Sequence, residues 1–205
     1  YQSQLREEQR KIAKKYADVE LMTTTGIGFH DGCHYSMAGY NQIGEYAYRL
    51  MSADLYNSGF VYDYKPPNII RVKHLNKDMK IIEINFDRSL IIFSDWELQK
   101  LKNYFYTIPF HQEPYNIIQL EETIFLFYNR PNYSSEISYL PNKYYNSSSN
   151  VYEGPFLRSR SGVGVPSFIE NIGGVSVTDS AAAPFDNESI VCYPNPADNY
   201  CTIRF

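Results

Sequence analysis

Apolar and charged residues alternate with helical spacing over the first 16 residues of the chain. Leu5, Ile12 and Tyr16 recur along one side of a helix, and the residues between them are mainly Glu, Lys and Arg. This pattern predicts an amphipathic helix with an apolar inner face. Its charged residues, Glu7 and Arg10 among them, are expected to face water.

A short strand and a second helix are predicted next. Residues 19–24 predict the strand, which ends at the glycines Gly26 and Gly28. Ser36 is the predicted N-cap of the second helix. Its apolar positions recur on one side, at Tyr40, Ile43, Ala47, Leu50 and Met51.

The pattern changes after residue 57, where short β-like runs are separated by turn residues. These runs cover residues 69–75, 80–86, 89–93, 104–108, 117–120, 123–128 and 136–140. In the second run Ile82, Ile84 and Phe86 share one face, which is typical of a half-buried strand. Many short strands at regular spacing predict an antiparallel sandwich. Trp96 is expected in its core.

Composition narrows the function classes. The 205 residues carry a net charge of -4, and their isoelectric point is near 5.6, so electrostatic binding to the nucleic-acid backbone over a broad surface is not expected.

The apolar runs are too short to span a bilayer. Cys192 and Cys201 are close enough in sequence to pair, which would leave Cys33 free. The 20 tyrosines fit strands better than a dedicated sugar platform.

Side chains that can act as acids, bases, nucleophiles or metal ligands are most frequent in residues 28–36. Asp31 and His34 lie three residues apart in a glycine-containing turn between the predicted strand and helix. The carboxylate can orient one imidazole nitrogen and leave the other as a base, which is half of a nucleophile–base–acid triad. A metal site at His30, Asp31 and His34, with Cys33 nearby, is the alternative.

The blocks around this turn resemble the last portion of SGNH-type carbohydrate O-acetylesterases, the sialate O-acetylesterase and acetylxylan esterase group. The blocks are Arg-Glu-Glu-Gln at 6–9, Val-Glu-Leu-Met-Thr-Thr at 19–24, Asp-Gly-Cys-His-Tyr-Ser at 31–36 and Gly-Tyr-Asn-Gln-Ile-Gly at 39–44. The resemblance implies that residues 1–57 form the C-terminal end of a flavodoxin-like three-layer α/β domain. It also implies that His34 is the general base and that Asp31 orients it. No cofactor or metal is expected.

The family's nucleophile lies in a Gly-Asp-Ser block that these residues lack, since Ser94-Asp95 has the reverse order. The serine is therefore expected from a missing N-terminal catalytic segment, and the 205 residues alone are expected to be inactive on an acetylated glycan. The alternative interpretation is a non-catalytic secreted glycan-binding or surface protein that retains an esterase-like remnant.

Residues 62–174 are predicted to form an all-β, sandwich-like accessory domain. Tyr-Leu-Pro at 139–141 and Gly-Pro-Phe-Leu at 154–157 resemble segments that follow the catalytic domain in some of these esterases. Residues 175–189 have linker composition. Residues 190–205, with Tyr-Pro-Asn-Pro-Ala at 193–197, resemble the start of a type IX secretion sorting domain, which implies contact with secretion machinery and a secreted or cell-surface location.

Overall fold

The chain combines helices with antiparallel sheets, so its fold class is broadly α/β. The structure is a computed structural model that describes residues 2–31, 34–56, 64–75, 77–141, 152–173, 191–194 and 200–204. The first region contains helix α1 (Gln2–Lys15), strand β1 (Val19–Thr23) and helix α2 (Met37–Tyr56). These three elements confirm the helix, strand and helix predicted from the hydrophobic pattern.

Two antiparallel sheets occupy the middle of the chain. The first has the order β2-β3-β6-β5 and the second the order β4-β7-β8. Their strands are β2 (Ile69–His74), β3 (Ile81–Phe86), β4 (Phe105–Ile108), β5 (Asn116–Leu120), β6 (Thr123–Phe127), β7 (Glu136–Tyr139) and β8 (Phe168–Asn171). All but β8 were expected from the alternating pattern, because alternation reports burial on one face of a sheet.

Both sheets contribute to one hydrophobic core. Ile82 and Ile84 of the first sheet are fully buried, as are Phe105 and Ile137 of the second. The rings of Phe86 and Phe168 meet across the core with centroids 6.5 Å apart. The core therefore joins the two sheets, and burial of this apolar surface is the main term that stabilises them.

Residues 89–101 differ from the prediction. Residues 89–93 form no strand; Leu90 makes only an isolated bridge with Ser159. Helix α3 (Asp95–Leu101) follows, and Ser94 and Glu97 close a capping box at its start. The expectation that Trp96 lies in the core is wrong, because its side chain is 65% exposed and stacks beneath the ammonium of Lys100.

Helix α1 buries charged residues instead of its apolar ones. Glu7 and Arg10 are almost fully buried, whereas Leu5 is 52% exposed, so the predicted orientation of this helix is wrong. Arg10 donates to both carboxylate oxygens of Glu7, at 2.9 and 2.7 Å, and to Glu170 of β8. It also donates to Asn68, 2.7 Å away. These partners compensate the desolvation of the charges, and α1 is thereby fixed to the β region.

Burial and the neighbouring charges have opposite effects on the pKa of Arg10. Burial alone would lower the pKa of the Arg10 guanidinium, but the hydrogen bonds and charges of Glu7 and Glu170 raise it. Arg10 is therefore cationic at neutral pH.

The tail contributes strands β9 (Val191–Pro194) and β10 (Tyr200–Arg204). β10 pairs antiparallel with β1, from Val19 opposite Arg204 to Thr23 opposite Tyr200. Cys192 stands opposite Ile203 in the β9–β10 pair, so it is not directly opposite Cys201. The predicted linker at 175–189 lies outside the described residues. None of the described helices has the length and apolar content needed to cross a membrane.

Candidate functional site

The turn between β1 and α2 folds back on itself. His30 and Tyr35 form an isolated antiparallel bridge, and their rings meet edge to face with centroids 5.6 Å apart. The Asp31 amide donates to the His34 carbonyl at 3.1 Å, and the Ser36 amide donates to the Phe29 carbonyl at 2.7 Å. These backbone bonds give the turn a defined shape ahead of the helix.

The structure brings together the two predicted catalytic residues. One carboxylate oxygen of Asp31 accepts the His34 backbone amide at 2.7 Å, and the other lies 3.4 Å from His34 Nδ1. Asp31 therefore fixes both the backbone of the turn and the side of the imidazole that faces it. A proton on Nδ1 would leave Nε2 as the accepting nitrogen. Both side chains are largely exposed, at 67% and 73%, so a substrate can reach them.

Helix α2 begins directly after the turn and packs tightly against it. The Tyr40 amide donates to the Ser36 carbonyl at 3.0 Å, as the first bond of a helix that starts at Met37. A Cβ placed on Gly39 would lie 2.7 Å from Tyr35 Cδ1 and 3.1 Å from the Gly28 carbonyl oxygen. Only glycine allows this close approach without displacing the turn.

A cavity of about 640 Å³ lies beside the turn. One side is formed by the turn itself, from Thr25 to Asp31, together with Tyr46 of α2. The opposite side is formed by Glu97 of α3 and by residues between Tyr152 and Gly162. A concave site of this size that mixes aromatic and charged side chains is typical of small-molecule binding. His34 is not among the residues that line it.

Tyrosine hydroxyls hold the far wall of the cavity. Tyr46 of α2 donates to the Gly162 carbonyl at 3.1 Å, and Tyr104 donates to the Gly154 carbonyl at 2.6 Å. The Leu157 amide donates to the hydroxyl of Tyr139, whose side chain is fully buried. Burial raises the pKa of both Tyr104 and Tyr139, so these hydroxyls keep their protons at neutral pH.

A backbone contact joins the two walls. A Cβ on Gly164 would lie 2.0 Å from the Thr25 carbonyl oxygen, so the backbone at Gly164 runs directly against the residues that follow β1. The turn that carries Asp31 is therefore positioned by the β region as well as by α2.

The metal alternative gains no support from the described residues. His30 and Asp31 line the cavity, but within the described ranges no three His, Cys, Asp or Glu side chains are grouped so that they could hold a metal ion. Cys33, which the sequence places beside them, lies outside the described residues.

Sequence reasoning missed most of the cavity. It found Asp31 and His34, which are neighbours in the chain, but assigned no role to Glu97, Glu153 or Arg158. The Ser94-x-x-Glu97 spacing is a capping-box signal that could have predicted α3 and hence the position of Glu97.

Comparisons with known proteins identify no relative of this chain. No protein-family model matches it, and neither a curated protein nor a solved structure does. Function must therefore be inferred from the site itself.

Proposed function

We propose that this chain is part of a carbohydrate esterase that removes O-acetyl groups from a glycan through an acyl-enzyme. The observation that carries the proposal is the contact between the Asp31 carboxylate and His34 Nδ1, beside a cavity large enough for a sugar. In a hydrolytic triad the base is an accessible histidine that a carboxylate orients, and Asp31 and His34 have that arrangement.

In the proposed reaction, His34 removes the proton from a serine hydroxyl as the oxygen attacks the acetyl carbonyl. The same nitrogen then gives that proton to the departing sugar oxygen, which leaves an acetyl-serine. Water repeats the sequence and releases acetate. Asp31 holds the tautomer and stabilises the imidazolium. The serine and the donors to the oxyanion are proposed to come from a segment outside these 205 residues.

The experiment compares matched histidine variants. Turnover of 4-nitrophenyl acetate is measured for the 205-residue chain and for any longer natural form that contains it. The chain alone is expected to be inactive, and the longer form is expected to lose turnover in His34→Asn. His111→Asn changes an exposed histidine in the turn after β4, so it should leave turnover unchanged.

Asp31→Asn separates the two contacts of that residue. Its amide oxygen can still accept the His34 backbone amide, but the negative charge beside Nδ1 is removed. Turnover should fall roughly a thousandfold or more, as it does when a triad carboxylate is neutralised. Full turnover in either His34→Asn or Asp31→Asn would contradict the proposed mechanism. So would turnover by the 205-residue chain alone that His34→Asn abolishes.

A second candidate function is glycan binding without catalysis. It is favoured by the lining of the cavity, which includes Tyr46, Tyr152 and Phe156 but not His34. In that case oligosaccharide binding would persist in His34→Asn, and no natural form would hydrolyse an acetyl ester.

We also propose that residues 190–205 direct export, which would place the protein outside the cell or on its surface. The supporting feature is the Tyr-Pro-Asn-Pro-Ala stretch at 193–197, which follows a linker-like segment. Fractionation of the source cells, with and without this tail, tests the location.

A further inference from the structure

The cavity beside the catalytic turn carries more negative than positive charge. Its lining includes three carboxylates, from Asp31, Glu97 and Glu153, and a single guanidinium, from Arg158. A cleft that is lined mainly by charges of one sign focuses their electrostatic field, so a charged ligand that enters the cleft feels a strong potential.

Arg158 shares the cavity lining with a carboxylate of opposite charge, Glu97. Hydrogen bonds from the backbone and side chain of Ser94 lower the pKa of the Glu97 carboxyl, and the positive charge of Arg158 lowers it further. Glu97 is therefore ionised at neutral pH and offsets Arg158. The carboxylates of Asp31 and Glu153 then set the sign of the field.

The same cavity offers surfaces that suit an uncharged ring. Tyr46, Tyr152 and Phe156 all line it, and aromatic faces pack well against the C–H faces of sugars. Hydrogen bonds at both ends of the wall, from Tyr46 to Gly162 and from Tyr104 to Gly154, fix these surfaces in place.

We propose that this cavity binds an uncharged acetylated glycan and that Asp31 and Glu153 select against glycans that carry uronate or sialate groups. This inference rests on the proposed function and names its substrate class. Like charges brought together in a binding site cost affinity, and the effect is screened by salt. A glycan carboxylate near Glu153 should therefore bind about tenfold more weakly than an uncharged glycan of equal length.

The test is calorimetric titration of the 205-residue chain with an acetylated xylo-oligosaccharide and with an oligogalacturonide of the same length. The uncharged ligand is expected to bind about tenfold more tightly at low ionic strength, and this difference in affinity should become smaller as the salt concentration rises towards about 0.15 M. Glu153→Gln should reduce the difference in affinity further. The matched control, Glu113→Gln, removes an exposed carboxylate that is not among the cavity residues and should leave the difference in affinity unchanged.

Arg158→Gln removes a positive charge from the same cavity, so it should increase the difference in affinity between the uncharged and the acidic ligand. This variant keeps the inference testable if Glu153→Gln does not fold. Equal or tighter binding of the acidic ligand would overturn the inference. So would equal effects of Glu153→Gln and Glu113→Gln, or the absence of binding by both ligands.

These outcomes are separable from those of the esterase proposal. If the chain prefers the uncharged ligand but no natural form hydrolyses an acetyl ester, the inference about charge stands and the proposed esterase activity is overturned. If a natural form hydrolyses acetylated glycans but the chain shows no preference for the uncharged ligand, the esterase proposal stands and the inference about charge is overturned.

Discussion

Replacing Gly39 with alanine should destabilise the chain, although alanine is the better helix former. In α2 a Gly→Ala change normally stabilises by about 1 kcal/mol through backbone entropy. At Gly39 the new methyl group would lie 2.7 Å from Tyr35 Cδ1, 3.0 Å from Tyr35 Cβ and 3.1 Å from the Gly28 carbonyl oxygen. Because the last two atoms belong to a rigid part of the turn, the overlap cannot be relieved by rotating a side chain.

The ring of Tyr35 has little room to move. It is 9% exposed, and it contacts His30 at 5.6 Å and Tyr40 at 6.0 Å between ring centroids. Overpacking of this kind costs about 1–3 kcal/mol. The overlap should therefore exceed the propensity gain, and Gly39→Ala should be destabilising by up to about 2 kcal/mol.

Gly44 supplies the matched control. It lies in the same helix, five residues further along, and apart from its chain neighbours and the backbone of its own helix no atom lies within 4 Å of the position that its Cβ would occupy. Gly44→Ala should therefore raise the free energy of unfolding by about 0.5–1 kcal/mol. Urea unfolding followed by circular dichroism measures both variants. Shifts of the same sign in the two variants would refute the packing argument.

Two further changes test charges that the fold depends on. Arg10→Met removes the guanidinium that hydrogen-bonds to both Glu7 and Glu170, and leaves them only the longer ionic contacts to Lys11 (3.9 Å) and Lys14 (3.8 Å). It should cost about 3–5 kcal/mol in urea unfolding, whereas Lys15→Met, at an exposed position of the same helix, should cost less than about 1 kcal/mol. Equal losses would contradict the role of the buried cluster. Ser94→Ala should cost about 1 kcal/mol at neutral pH by removing the cap of α3. The Ser94 backbone amide and hydroxyl both donate to the Glu97 carboxylate, at 2.9 and 2.8 Å, and lower its pKa below the ordinary value of 4.5. The contribution of these two bonds is present above that pH and is lost as the pH falls through the folded-state pKa. Ser94→Ala removes only the hydroxyl bond, so its difference from the parent should shrink in part in acid, and a constant difference would contradict the hydroxyl–carboxylate contact.

Local pattern predicted the strands well because alternation reports burial directly. Ile82, Ile84 and Phe86 share the buried face of β3, as their spacing indicates. The same logic failed on α1, where charged residues are normally the exposed ones. Arg10 is buried because Glu170 pairs with it from 160 positions further along the chain, and no local pattern reports such a partner.

The candidate site also has one part that could be predicted from the sequence and one part that could not. Asp31 and His34 could be predicted because their contact is set within one turn. The other wall of the cavity could not, because it depends on contacts between distant residues, such as Tyr46 with Gly162 and Thr25 with Gly164. A site built across such separations is visible in the sequence only as isolated residues.

Some of the tyrosines have a structural role in the wall of this cavity. A wall without regular strands leaves backbone amides and carbonyls unpaired, and buried groups of that kind need partners. Tyrosine can fill a core with its ring and still reach a backbone group with its hydroxyl. Tyr139 does so for the Leu157 amide, and Tyr104 does so for the Gly154 carbonyl. Tyr104 and Tyr139 thus supply two bonds that strand pairing would otherwise make in this wall, so their presence there is not by itself a sign of sugar binding.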